Sequence, residues 1–176
     1  FDQSYTPPIA GNKGYFKPTD ENTKIRIMKQ WITWHMTRDK TWERPRPIRS
    51  REVNDEIFKH YHPKDNPIKH FRAFIVYDFT DKTLKIREIT QKSIQDAITS
   101  LCGQEDRGNM LEYSINVYKK WKDMETRYFV TPCPDKWPSK EADEMMKDCK
   151  INLEALYSWE DPFTTSVHEQ KDDIPF

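Results

Sequence analysis

Between residues 40 and 51 the chain reads KTWERPRPIRSR. Lys40, Arg44, Arg46, Arg49 and Arg51 surround Trp42, with only Glu43 and the following Glu52 opposing them. Cations interleaved with rings suit single-stranded nucleic acid. Guanidinium and ammonium groups follow the phosphates, and rings stack on unpaired bases at roughly 1–3 kcal/mol per base. Trp31 and Trp34 lie upstream; Tyr61, His70, Phe71 and Arg72 lie downstream. A second concentration comes where Lys119, Lys120 and Lys122 flank Trp121, with Arg127 just beyond. Trp42 and Trp121, set beside charges, are expected to be exposed and to stack on bases. Trp31 and Trp34 stay open between base contact and core, because six Trp in 176 residues also supply core mass. From 71 to 79, Phe71, Ala73, Ile75, Tyr77 and Phe79 alternate with Phe74 and Val76, so periodicity leaves the core face undecided. Phe71 and Tyr77 are counted among the candidate contacts.

Catalytic chemistry finds no such foothold. The chain has four glycines and no GxGxxG or Walker pattern, no GxSxG and no HExxH. His60 and His62 flank Tyr61, but Cys102, Cys133 and Cys149 form no CxxC pair, so a zinc site is not specified. The expectation is a non-enzymatic protein without metal or cofactor. Three scattered cysteines fit a reducing, cytoplasmic setting rather than a disulfide framework. No apolar run is long enough for a membrane span and no signal peptide is visible, while the opening Phe1 leaves room for missing or processed residues before it.

Charge is unevenly spread behind a formal net of zero. Residues 1–130 hold 24 Lys and Arg against 18 Asp and Glu, and residues 131–176 hold 5 against 11. A basic body attracts phosphates by releasing counterions, whereas an acidic end is repelled by them.

These residues must be positioned by the surrounding elements. Prolines and glycines make residues 1–19 an extended arm. TKIRIM alternates and predicts a strand running on toward Trp34; residues 37–68, broken by Pro45, Pro47, Pro63 and Pro67, predict a long loop. HFRAFIVYDFT at 70–80 is a strand, paired through a turn at Asp81-Lys82 with Leu84–Ile89. Ile94, Ala97, Ile98 and Leu101 recur at helical spacing behind Thr90 as a candidate N-cap, and Gly103 ends that helix. A second hairpin turns about Trp121-Lys122-Asp123, and a further helix is predicted from about 139 to 157. Strand, loop, two strands, helix, two strands is the order of a five-stranded Greek-key barrel, the OB-fold, with its helix between strands three and four. A small α+β sandwich or a split ferredoxin-like sheet are the alternatives. An OB-fold binds through its second and third strands and the loops after strands one and four, where the two basic-aromatic clusters fall. The expected organisation is an arm at 1–19, an OB-fold domain at 20–134, a C-terminal helical appendage at 135–158 and a flexible acidic tail at 159–176.

RPIRSRE at 46–52, KHFRAFIVYDF at 69–79, IREITQKSI at 86–94 and METRYFVTPCP at 124–134 come in an order that resembles a group of phage-encoded single-stranded DNA-binding proteins with an OB-fold. The likeness runs from about Thr6 to Pro134, taking in YTPP and ENTKIRIM. It implies binding of single-stranded DNA without sequence preference during phage replication, recombination or repair, in the cytoplasm of a bacterial host. It also implies Arg46, Arg49 and Arg51 as loop contacts, with His70 and Phe71 in the sheet motif. The family has an aromatic residue where Arg72 stands and a Trp-Gly where Arg107-Gly108 stands, so its stacking set is not carried over whole.

The last residues, Asp172, Asp173, Ile174, Pro175 and Phe176, resemble the terminal tip of bacterial single-stranded DNA-binding proteins, which recruits replication and repair enzymes. Ile174 and Phe176 can fill an apolar pocket while the carboxylates meet surrounding basic side chains, and Pro175 lowers the cost of ordering the segment. The expected partners are therefore single-stranded DNA and proteins docking on this tip. A protein–protein adaptor with an OB-like barrel and an RNA-binding protein are the competing expectations.

Overall fold

The computed structural model describes residues 14–104, 106, 108–122, 124–133, 139–158 and 160–163. Most of the N-terminal arm, most of the acidic tail and the whole DDIPF segment lie outside the described residues. Among the described residues the fold is mainly β: seven strands in one open antiparallel sheet, with four helices. The strands are β1 (Thr23–Ile27), β2 (Ile32–Asp39), β3 (Arg46–Ser50), β4 (Lys69–Asp78), β5 (Thr83–Ile89), β6 (Ser114–Lys122) and β7 (Glu125–Pro132). The helices are α1 (Asp55–Lys59), α2 (Lys92–Cys102), α3 (Lys140–Lys147) and α4 (Ala155–Ser158). Strand order is β3-β2-β4-β1-β6-β7, with β5 paired to β4.

The first strand expected from sequence is two. β1 pairs with the C-terminal end of β4, Ile27 opposite Val76, and β2 with its N-terminal end, Ile32 opposite Ala73. Between them the Met28 N–H still donates to the Ile75 carbonyl at 2.9 Å, so the interruption is a bend along one edge of β4. The expected loop 37–68 contains a strand and a helix. β3 carries Pro47 opposite Arg38 and, among the described strands, pairs only with β2. An edge strand tolerates a residue without an N–H. α1 is capped by Asn54, whose side chain accepts from the Ile57 N–H at 3.0 Å, and it buries Ile57.

β4 and β5 turn through Lys82, which takes a left-handed φ of 56°. Lys85 fastens this hairpin, lying 2.8 Å from Asp78 and 2.5 Å from Asp81. Burial opposes the charge on Lys85, but both carboxylates outweigh it and hold its pKa above the usual value. α2 starts one residue later than expected, with Gln91 at the N-cap, and the Gly103 N–H closes it on the Thr99 carbonyl at 3.1 Å. The expected C-terminal helix is broken in two. Ser139 caps α3 at its start and Asp148 at its end; the chain then doubles back, with the Asn152 N–H on the Pro162 carbonyl at 2.8 Å.

That return explains why β4 is apolar on both faces. Phe74 and Val76 join Ile25, Ile27, Ile89, Ile94, Ile98, Ile115 and Val117 in one core beneath α2. Phe71, Ala73 and Ile75 join Trp34, Met36, Ile86, Leu153 and Leu156 in a second core, covered by the C-terminal segment. Gly14 belongs to the second layer. A Cβ there would stand 2.2 Å from the Phe163 ring, while its carbonyl accepts from the Ile86 N–H at 2.8 Å. Only a glycine lets the chain and that ring approach so closely.

Candidate nucleic-acid interface

The turn from β2 into β3 holds the most developed group. Asp39, the last residue of β2, accepts from the Thr41 hydroxyl at 2.6 Å, the Thr41 N–H at 2.9 Å and the Trp42 indole N–H at 3.1 Å. The Thr41 bonds hold its carboxyl below the usual range, so it is ionised near neutral pH. Trp42 is thereby fixed in place although 51% of its surface is exposed. Arg46, the first residue of β3, lies over the indole with its guanidinium carbon 3.8 Å from the ring centroid. A cation behind a ring steadies it and raises the positive potential beside its open face. Trp42, Arg46 and Arg49 line a cleft of about 320 Å³ together with Asp39, Ile48, Glu56 and Tyr157.

The C-terminal segment enters this site, and no local sequence signal announces it. Arg49 donates to the Leu156 carbonyl at 3.1 Å across a separation of 107 residues, and lies 3.8 Å from Glu88. Burial pushes the Glu88 carboxyl above its usual range, against the pull of Arg49 and Arg87. Arg51 pairs with Glu154, which raises its pKa further, and it lies over the Tyr157 ring at 5.0 Å. Tyr157 donates its hydroxyl to the Thr33 carbonyl at 2.7 Å. Arg49 and Arg51 thus have partners within the chain. Arg44 and Lys40 are exposed, Lys40 donating to the Asp65 carbonyl at 2.7 Å.

The remaining candidates divide by burial. Trp34 is 0% exposed, stacked on Phe71 with centroids 5.6 Å apart, and Phe71 and Tyr77 are buried with it. The choice left open for Trp34 falls to the core, and none of these three rings offers a face to solvent. Burial accordingly raises the Tyr77 phenol pKa. Trp31 is half-buried at the bend before β2, with Arg72 over its ring at 4.8 Å. Arg72 also donates to the Thr99 hydroxyl at 2.7 Å, and His70 lies beside Gln95 on α2 at 3.3 Å. Tyr61 is exposed and meets Phe58 edge-on at 6.2 Å.

Trp121 stands near the turn of the β6–β7 hairpin with 69% of its surface exposed. Lys119 is half-buried and Arg127 is exposed beside Glu125 at 3.8 Å; the side chain of Lys122 is outside the described residues. In strand order Trp42 and Trp121 belong to opposite ends of the sheet, at β2–β3 and at β6–β7. No group of three or more His, Cys, Asp or Glu side chains arranged to hold a metal occurs among the described residues. Nor is any helix among them long and apolar enough to cross a membrane. Comparison with protein-family models, with curated proteins and with solved structures returned no match.

Proposed function

We propose that the chain is a sequence-independent, non-enzymatic single-stranded DNA-binding protein of the OB-fold kind, acting in phage replication, recombination or repair. The observation that carries this reading is the Trp42–Arg46 pair: an exposed indole, fixed by Asp39 on its edge and backed by a guanidinium at 3.8 Å. An unpaired base stacks on the open face, and Arg44, Arg46 and Lys40 take the adjacent phosphates. Stacking on a ring face accepts any base, because every base has a π-face. Trp121 on the second hairpin, with 69% of its surface exposed, adds a second ring for stacking.

The OB-fold reading draws support from the pairing. β1 and β2 count as one bent strand because both lie along the same edge of β4. With β4, β5, β6 and β7 they make five, and α2 falls between the third and fourth. β3 and α1 are then elaborations of the loop after strand one, which is a binding loop in such barrels. In this reading Asp172, Asp173, Ile174, Pro175 and Phe176 dock on replication or repair proteins. Fluorescence anisotropy with labelled oligo-dT tests the reading: binding to the single strand should be tight and salt-sensitive, and binding to duplex weak. Tighter binding to an RNA oligomer of the same length would move the reading to RNA, since discrimination rests on the 2′-hydroxyl.

A further inference from the structure

Side chains alternate across a strand, so each face of the β6–β7 hairpin can be read from its register. Val117 opposite Val130, Lys119 opposite Tyr128 and Trp121 opposite Thr126 share the face that packs, at its base, on the first core. Tyr118 opposite Phe129 and Lys120 opposite Arg127 share the other face. There the Tyr118 and Phe129 rings stack with centroids 4.9 Å apart and planes 11° from parallel, and 37% of Phe129 is exposed. Lys120 is exposed, its Nζ 5.6 Å from the Tyr118 ring centroid. Across the β1–β6 pairing, Lys24 lies opposite Asn116 on this same face, with its Nζ 4.4 Å from the Phe79 ring. Lys120, Arg127 and a flat pair of rings therefore occupy a face of the hairpin that Trp121 does not, with Lys24 on the neighbouring strand. Glu125 lies 3.8 Å from Arg127, and Asp143 of α3 is engaged by Arg26 at 3.1 Å.

We infer that this outer face of the hairpin is a second contact surface for single-stranded nucleic acid. Lys120 and Arg127 take phosphates, and Phe129 takes a base. The inference rests on the proposed function and extends it: a strand stacked on Trp121 passes round the hairpin and continues on its far side. Charge complementarity calls for a polyanion. The ring pair favours a polyanion that presents a planar group at every unit of its backbone, as a single strand of nucleic acid does.

The experiment uses the full chain and a labelled oligo-dT of about 30 nucleotides, titrated at several salt concentrations. Replacing both exposed cations, Lys120→Gln with Arg127→Gln, should reduce the slope of log K against log salt by about 1.4, at about 0.7 for each phosphate no longer neutralised. Phe129→Ala should weaken binding about fivefold or more with the slope unchanged. Because these side chains are exposed, melting curves should stay near the parent's and so distinguish weaker binding from damaged structure. Parental affinity and slope in both variants would overturn the inference, while Trp42→Ala still weakening the complex would leave the proposed function standing. Displacement of the oligomer from this face by oligo-glutamate at equal charge concentration would overturn it in favour of an acidic-peptide site. No binding by the parent chain would overturn both readings.

Discussion

Replacing Trp42 with Ala is the most informative single change, because the structure separates its effect on binding from its effect on folding. The ring is half exposed, and its main attachments are the Arg46 guanidinium at 3.8 Å and the indole N–H bond to Asp39. An exposed cation–π contact contributes about 0.5–1 kcal/mol, and no core cavity opens when this ring is removed. The melting temperature should therefore fall by a few degrees at most, at about 2–4 °C per kcal/mol in a chain of this size. The cost to binding should be larger. Removing one base–aromatic stack costs about 1–3 kcal/mol, which is about fivefold to 150-fold in Kd. The indole is uncharged, so the slope of log K against log salt should not move, whereas Arg46→Gln should lower it by about 0.7. Anisotropy with oligo-dT gives both numbers, and quenching of tryptophan fluorescence by the oligomer should shrink in the variant. A Kd within twofold of the parent, on a folded protein, would refute the stacking role of the pair. A changed salt slope would instead mean that Trp42 acts by positioning cations.

Further expectations concern the cores and pH. Trp34→Ala should destabilise by about 3–5 kcal/mol, because a fully buried ring is removed; a denaturant titration showing less than about 1 kcal/mol would contradict its place in the core. Leu156→Ala should cost about 2–5 kcal/mol if α4 is an integral cover of the second layer, whereas Glu154→Gln, which breaks only an exposed ion pair with Arg51, should cost at most about 1 kcal/mol. Similar small losses in both would mean that the segment is only loosely held. Burial raises the folded-state pKa of Glu88 above its usual value of 4.5. The stability it contributes is full below that value and is lost as pH rises through the folded pKa. Glu88→Gln should thus gain on the parent between acid and neutral pH, and a pH-independent difference in denaturation midpoints would contradict this.

Much of the sheet was legible because its strands obey one period and stop at turn residues. HFRAFIVYDFT became β4, and Thr83–Ile89 became its partner through a turn at Lys82. Ile94, Ile98 and Leu101 line one buried stripe of α2. β3 was hidden because Pro45 and Pro47 read as loop, and only its place at an edge makes a proline acceptable there. The core face of β4 was undecidable from alternation for a physical reason: both faces are buried, one by α2 and one by the returning C-terminal segment. Of the candidate rings, Trp42 and Trp121 stood beside charges and are exposed. Trp34, in a stretch with no adjacent charge run, is core. The bonds of Arg49 and Arg51 to Leu156 and Glu154 span more than a hundred residues, and no local pattern encodes an interaction at that distance.

If this surface holds single strands, it must prefer them to duplex. Oligo-dT of about 30 nucleotides and a duplex of matching length should be titrated side by side across salt concentrations. Tight binding to the single strand that weakens steeply with salt, with much weaker binding to duplex, is the predicted result. No retardation of the single strand at low salt, or equal affinity for duplex, would contradict the account.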